Sequence, residues 1–365
     1  MVESSYRRRL VSLDALRGFD MLFIIGLELV LRAVAGFLPE EAGRWLQLQM
    51  GHMAWEGLAV YDLIFPLFVF ISGVAMHYSQ ARAMERGLSR CRIACKLWKR
   101  ACVLVALGWL VNWDARWMSG DVRLASVLGL IGLSCAMAGS LALILRRRIP
   151  LVLSTVAILA GVYILQLVGG DMSPSGCVNA AIDAQFCPGR LHLGVLDPEG
   201  PLCIISATAL CLCGMHAGAW LERGLPRGRA AAGLVGAGAL ALLAGCLSGP
   251  IIKNIWTPSF VLASAGVSSA LLGIFHLVCD SAAGAKWSWP LRVVGVNALF
   301  IYLATHALPY GTIVQRLCGW ALAALPTQLA PLGYSVCYLG VAWLLCVSRV
   351  ARYLFAVAII ICICT

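Results

Sequence analysis

Apolar residues in this chain are gathered into ten runs separated by short polar intervals. The runs cover residues 15–37, 57–79, 101–113, 124–145, 149–169, 201–221, 230–249, 258–279, 291–308 and 333–350. Most approach the roughly 20 residues that a helix needs to cross the hydrocarbon core of a bilayer. The pattern therefore predicts an all-α fold, a polytopic membrane bundle of about 10 transmembrane helices. The third run is short, with residue 117 as its farthest extension. Residues 317–330 read as a re-entrant or interfacial helix. The apolar tail 353–365 is too short to span alone, so it extends the last helix or lies at the interface. Three segments facing the same side are substantial: 38–56, 170–200 and 309–332. In the middle one, Asp171, Pro174, Asn179, Pro188, Gly189, Asp197 and Pro198 predict ordered loop rather than helix. No internal repeat or low-complexity linker stands out, and residues 1–365 read as a single membrane domain.

Composition agrees with the pattern. Of 365 residues, 61% are hydrophobic and 12% charged, about half the ~25% charge of an ordinary soluble domain. With mean hydropathy +0.87, the chain cannot cover a soluble surface. Disorder, collagen-like repeats, coiled coil and a small disulfide scaffold are excluded by the same figures.

The net charge of +11 points to orientation rather than to nucleic acid. Its sources are short clusters between the apolar runs: Arg7–Arg9, residues 82–100, Arg146–Arg148, and Arg223 with Arg227 and Arg229. Counting from a cytoplasmic Arg7–Arg9, the other clusters also fall on the cytoplasmic side, as do both termini. Ala33-Val34-Ala35 mimics a signal-peptidase site, but Asp20, Glu28 and Arg32 interrupt the preceding run, which predicts an uncleaved first helix. There is no Asn-x-Ser/Thr site, in keeping with a bacterial cytoplasmic membrane.

Most of the 16 cysteines lie in apolar runs and behave as small hydrophobes. Cys177 and Cys187 lie in the longest polar loop, where an oxidising compartment would allow them to pair or leave them as thiols. The ending Cys362-Ile363-Cys364-Thr365 has the shape of a prenylation box without adjacent basic residues, and chance explains it better.

Ionisable residues within a bilayer are expensive and usually face a cavity or a partner. The first helix has five, Asp14, Arg17, Asp20, Glu28 and Arg32, which share about one third of an ideal wheel. Internal pairing explains Asp14, Arg17 and Asp20 well, and leaves Glu28 with Arg32 alone. A second cluster holds His52 at the outer mouth of the second helix and Asp62 just within it. Glu28 and Asp62 are expected at similar depth, so that a His, two carboxylates and an Arg converge. Imidazole there suits a general base or a transient acyl carrier, and equally a structural interface residue. The remaining histidines show no metal-ligand spacing, and there is no C-x-x-C pair, P-loop or dinucleotide fingerprint. Asn297 and His306 share the ninth run at nine residues' separation, about 180° apart on the wheel, and so should face different neighbours.

Taken together, these segments resemble the transmembrane heparan-α-glucosaminide N-acetyltransferase family. The resemblance rests on Ser12-Leu13-Asp14-Ala15-Leu16-Arg17-Gly18-Phe19-Asp20, His52…Trp55-x-Gly57…Asp62-Leu63-Ile64-Phe65-Pro66, Leu196-Asp197-Pro198-Glu199-Gly200, Lys253-Asn254-Ile255-Trp256-Thr257 and Gly295-Val296-Asn297-Ala298. It runs from about Leu10 to Arg352. It implies acetyl transfer from acetyl-CoA on the cytoplasmic side to an amino sugar, such as glucosamine, outside. The family's active-site histidine falls on His52 and its asparagine on Glu28, a departure, with Asp62 the third catalytic candidate. Leu130 is a second departure, at a position where the family usually carries Arg. The co-substrate is expected against Arg17, Asp14, Asn297, His306 and Lys99, with Lys96 and Arg100 as further phosphate partners. The animal enzymes' luminal N-terminal domain is not expected, so the acceptor is expected to be a cell-envelope or scavenged amino sugar. Membrane lipids and a homodimer complete the expected partners, without metal or nucleic acid. The rival reading is a transporter or flippase for a sugar or peptide, with a structural or assembly protein a distant third; transporters tend to show two related halves, whereas here polar residues crowd into the first two runs.

Overall fold

The computed structural model describes residues 10–112 and 122–348. The basic cluster 7–9, the continuation of the third run beyond 112 and the tail 353–365 with its cysteine-containing end lie outside the described residues. Among the described residues the regular structure is helical: α1 (Val11–Leu22), a π turn (Phe23–Leu27), α2 (Glu28–Ala35), α3 (Glu40–Gln49), a 3₁₀ turn (Val60–Leu63), α4 (Ile64–Glu85), α5 (Arg90–Val111), α6 (Val127–Leu145), α7 (Arg148–Val168), α8 (Val178–Phe186), α9 (Pro201–Leu221), α10 (Arg227–Leu247), a 3₁₀ turn (Lys253–Ile255), α11 (Pro258–Cys279), α12 (Ala282–Trp287), α13 (Trp289–Val296), α14 (Ala298–His306), α15 (Tyr310–Ala323) and α16 (Ala330–Val347). Among the described residues seven helices are long and apolar enough to cross a membrane: Val60–Glu85, α6, α7, α9, α10, α11 and α16. This is an integral membrane protein. The other three expected spans are helical but compromised, each for a visible reason. The first carries its charges and a π turn, the third begins in a cluster of basic residues, and the ninth is broken at Asn297 between α13 and α14.

Contacts gather the described chain into two compact units, one of residues 54–58 and 65–277, the other of residues 10–53, 59–64 and 278–348. In the first, α4 and α9 meet backbone to backbone. A Cβ on Gly73 would stand 2.0 Å from the Cys211 carbonyl oxygen, and one on Gly214 would stand 2.0 Å from that of Phe70. Small residues permit such approach where no hydrophobic effect drives helices together in lipid. In the second unit α1 packs on α13 in the same way, Gly18 against the Leu291 carbonyl and Gly295 against that of Asp14. The π turn between α1 and α2 depends on Gly26, whose φ of +126° a side chain would strain and whose surface is covered by the Tyr338 ring. A π turn inserts one residue into the helical ladder. The single polar wheel expected for the first helix is therefore interrupted: Glu28 and Arg32 follow the break, whereas Asp14, Arg17 and Asp20 precede it.

The 170–200 segment holds more helix than its turn residues predict, because α8 forms between its two turn-rich ends. Asn179, Ala180 and Asp183 bury one side of α8. Cys177 and Cys187 cap its two ends, which puts them about 15 Å apart at 1.5 Å per residue, beyond the ~7 Å that a disulfide can span. Both are free thiols.

The end of this segment is pinned by ions. Arg123 donates to both oxygens of the fully buried Asp197, Nε and Nη2 each at 2.8 Å, and also to Glu199. Asp197 further accepts from the backbone N–H of His192 (3.1 Å) and of Glu199 (3.1 Å), and its own N–H donates to Asp183 at 2.9 Å. Burial works against ionising Asp197, but the Arg123 hydrogen bonds outweigh it and hold the carboxyl at about 2. Burial and the adjacent Asp197 charge push Glu199 up to about 8. A depressed Asp contributes stability above its ordinary 3.8 that is lost as pH falls towards 2. A raised Glu has the opposite sign: its contribution is full below 4.5 and is lost as pH rises towards 8.

Three outcomes follow from these local structures. Mass spectrometry under non-reducing conditions should find Cys177 and Cys187 unlinked. Cys187 should also alkylate slowly near neutral pH, because burial and the charges of Asp183 and Asp197 push its thiol to about 11. Arg123→Gln leaves Asp197 buried without its cation and should cost roughly 3–5 kcal/mol, seen as a lower thermal midpoint and faster proteolysis of the 187–200 segment. An unchanged midpoint would remove the cluster from the account of stability.

Candidate functional site

The strongest constellation lies in the second unit, on the chain between α3 and α4. Asp62 sits in the 3₁₀ turn and is fully buried. Its Oδ1 accepts from Nδ1–H of His52 at 2.8 Å, and its Oδ2 accepts from the backbone N–H groups of Met53 and Ala59, each at 3.2 Å. One carboxylate thus fixes the ring, the residue after it and the entrance to its own turn. The neighbouring Val60 N–H is held by Gln49 Oε1 at 3.1 Å. From α2, Arg32 donates to the Met50 carbonyl at 2.6 Å while pairing with Glu28 at 3.4 Å. Beneath the loop, Phe23, Met50 and Ile64 form a buried cluster flanked by Phe19, Leu27, Leu31, Leu46 and Tyr61. The loop is held by apolar burial below and by hydrogen bonds from three sides.

The His52 side chain remains 55% exposed. The Tyr61 ring lies beside it, centroids 4.9 Å apart and planes tilted by 37°. With Nδ1–H committed to Asp62, the lone pair sits on Nε2, the tautomer a general base or a nucleophile requires. Glu28 lies within electrostatic range of His52 and of Tyr61, and Tyr338 from α16 lies within range of Glu28. His52 is thus hydrogen-bonded to Asp62 and within electrostatic range of Glu28, which pairs with Arg32. The hydrogen bond to the imidazole comes from Asp62, and Glu28 takes Arg32 as its ion-pair partner.

The other candidates have partners of their own. Asp14 pairs with Arg17 at 3.6 Å, whereas both carboxylate oxygens of the buried Asp20 have no hydrogen-bond partner. Asn297 occupies the break between α13 and α14. Its side-chain amide donates to the carbonyls of Val293 (2.8 Å) and Cys346 (3.2 Å). His306 stacks on Tyr302 with centroids 4.3 Å apart, Nδ1 within 3.0 Å of both Thr305 Oγ1 and the Tyr302 carbonyl. Asn297 and His306 do face different neighbours. Lys99 is on α5, in the first unit, and Leu130 is buried in α6. Among the described residues no group of three His, Cys, Asp or Glu side chains could hold a metal ion.

Two contributions escape sequence reasoning. Arg32 braces the loop through the Met50 carbonyl, which no spacing rule reveals. Tyr61 and Tyr338 come within range of Glu28, and of these only Tyr61, adjacent to Asp62, has a position that hints at it.

Several motif segments picked out in the sequence meet within the first unit. Trp55 Nε1 donates to the Met172 carbonyl at 2.7 Å, Glu56 bridges Ile252, and Gly57 N–H reaches the Ile251 carbonyl at 2.9 Å. The amide of Asn254 donates to the Ala54 carbonyl at 3.2 Å. The fully buried Trp256 stands edge-on to Phe65 and Phe260. Segments 54–57 and 251–257, some two hundred residues apart in the chain, are hydrogen-bonded neighbours.

No protein-family model matches the chain. It is similar to human heparan-α-glucosaminide N-acetyltransferase, 24% identical over 367 residues that cover 81% of this chain and 52% of the human protein. The mouse protein of the same name is 24% identical over 373 residues, 83% of this chain and 54% of its own length. The chain thus spans about half the length of the curated relatives it matches. Aligned over four fifths of its length with both, the chain is a distant relative of the heparan-α-glucosaminide N-acetyltransferases.

Proposed function

We propose that this protein is a transmembrane N-acetyltransferase that moves an acetyl group from acetyl-CoA to the amine of an amino sugar on the opposite side of the membrane. The observation that carries this reading is the His52–Asp62 pair, a half-exposed imidazole whose Nδ1–H is fixed at 2.8 Å by a fully buried carboxylate. A protonated amine cannot attack a thioester. Nε2 of His52 takes the proton as the amine nitrogen bonds to the thioester carbonyl carbon, and the carbon–sulfur bond breaks to release the thiolate, which the imidazolium can protonate. Asp62 stabilises that imidazolium and fixes its orientation, as the carboxylate does in a Ser-His-Asp triad. A two-step variant uses the same atoms: Nε2 bonds to the acetyl carbon as the carbon–sulfur bond breaks and the thiolate departs, and the amine then attacks that carbon, the bond to Nε2 breaking as Nε2 takes the amine's proton.

Glu28, at the position of the family's asparagine, adds negative charge near His52 and keeps Arg32 in place. Arg17 with Asp14, Asn297, His306 and Lys99 are the proposed co-substrate contacts. The orientation that fits the basic clusters has ten spans, both termini in the cytoplasm of a bacterium and the 170–200 segment outside. Acetyl-CoA would then enter from within and the acceptor from without. A homodimer is the proposed assembly.

One pair of observations favours the transporter reading. The first and ninth spans are both interrupted, at Gly26 and at Asn297, and broken helices line many transport sites. Incubating the purified protein in detergent with radiolabelled acetyl-CoA and glucosamine separates the readings, since transport cannot register there.

In that assay His52→Ala should lower acetyl transfer by ~10²–10⁴-fold with little change in thermal stability. Wild-type rates in this variant across pH 6 to 9 would exclude His52 as the base, whereas no acetyl transfer by the unaltered protein would favour the transporter. Asp62→Ala strips the acceptor from three donors and should cost stability as well as rate, at about 1–3 kcal/mol per buried unsatisfied group. Asp62→Asn keeps the shape and part of the bonding, so its loss should fall mainly on the rate. Equal losses in both variants would mean that Asp62 acts only as a structural brace.

A further inference from the structure

The hairpin of α4 and α5 encloses a cavity of about 360 Å³ at the end where the two helices join. From α4 it is lined by Ser79, Gln80 and Arg82, from the turn that follows by Arg86, and from α5 by Lys96 and Arg100, with Leu88 and Leu97 among its apolar walls. Four cations face one small space, and no carboxylate lines it. Among the described residues none of the four is ion-paired, unlike Arg17, Arg32, Arg44 and Arg123. Arg82 spends Nε on the Tyr78 carbonyl at 3.2 Å, which leaves its two terminal amino groups for another partner. The floor is rigid. Gln80 is 5% exposed and donates to the Gly139 carbonyl of α6 at 3.0 Å. At the same level Trp98 Nε1 donates to Ser140 Oγ at 3.2 Å, tying α5 to α6.

Four like charges converging on one cavity repel one another. Basic residues that merely orient a membrane protein can spread over its surface, and no such convergence is needed for that purpose. Guanidinium groups match phosphate oxygens in two-pronged hydrogen bonds, and a lysine adds a point charge. The volume falls within the ~300–1,000 Å³ of ordinary ligand pockets, and the leucines offer a wall to a glycerol or nucleoside moiety. Basic pockets at the ends of membrane helices are also where anionic headgroups settle. We infer that the α4–α5 cavity is a binding site for a phosphomonoester, carried by an anionic lipid or by a soluble phosphorylated molecule. It shares no residue with the His52 group; Lys96 and Arg100 are also expected phosphate partners of the co-substrate, so the soluble-ligand arm alone rests on the acetyl-transfer reading.

Native mass spectrometry and isothermal titration on the detergent-solubilised full chain test it with two probes, phosphatidic acid and adenosine 3′,5′-bisphosphate, with phosphatidylcholine as the control lipid. At least one probe should bind above the control, more weakly as salt rises. The doubly substituted Arg82→Gln/Arg86→Gln protein should lose that binding at least tenfold, and His52→Ala should keep it. Loss confined to phosphatidic acid assigns a lipid headgroup, loss confined to the bisphosphate assigns a soluble ligand, and loss of both supports the shared phosphate chemistry. Single Arg82→Gln and Arg86→Gln proteins, each compared with wild type by thermal melt, serve if the double variant folds poorly. Binding of neither probe, or binding unchanged in the variants, overturns the site.

Discussion

The buried carboxylate of Asp62 is the group on which the candidate site depends. A charged oxygen pair with no exposure is tolerated only when donors surround it, and here the donors are a ring N–H and two backbone N–H groups. Satisfying Asp62 therefore forces His52, Met53 and Ala59 to converge, which is the same as folding the loop. The imidazole gains its orientation from this requirement while about half of the side chain stays exposed. Geometry of this kind costs nothing to reorganise when a proton moves, and preorganisation is what a catalytic base needs.

Around that loop the helices are broken where the chain needs to turn polar groups inward. The π turn at Gly26 comes just before Glu28, and the break at Asn297 lets a side-chain amide cap backbone carbonyls of α13 and α16. Interrupted helices leave polar backbone atoms that lipid cannot satisfy, so such breaks persist only where protein supplies partners. Tyr338 over Gly26 is one such cover. Where helices run unbroken, as in α4 against α9, glycine brings backbones together and dispersion holds them.

Charge is sorted by function along the chain. Arg123 is consumed by Asp197 and Glu199 and fastens a loop. Arg32 is shared between Glu28 and a carbonyl and fastens the site. The four cations of the α4–α5 cavity face a space that no carboxylate lines, which sets them apart from the other two groups.

Composition and the spacing of apolar runs by themselves determined a helical membrane protein, because the cost of burying charge in lipid leaves few other uses for such a sequence. They also placed His52 and Asp62 ten residues apart, and the motifs around them were enough to suggest an acyltransferase. The seven unbroken spans were legible for the same reason. Sequence did not decide what each charged side chain meets. An ideal wheel put Glu28 on a continuous polar stripe, and a π turn that only a glycine at positive φ permits broke that stripe. Turn residues predicted loop around Cys177 and Cys187, but burial of Asn179 and Asp183 made a helix that keeps the two thiols apart. That Asp62 rather than Glu28 holds the imidazole, and that Arg32 braces Met50, are outcomes of packing. Hydrogen bonds select partners by distance and angle within a few tenths of an ångström, and only the folded chain sets those.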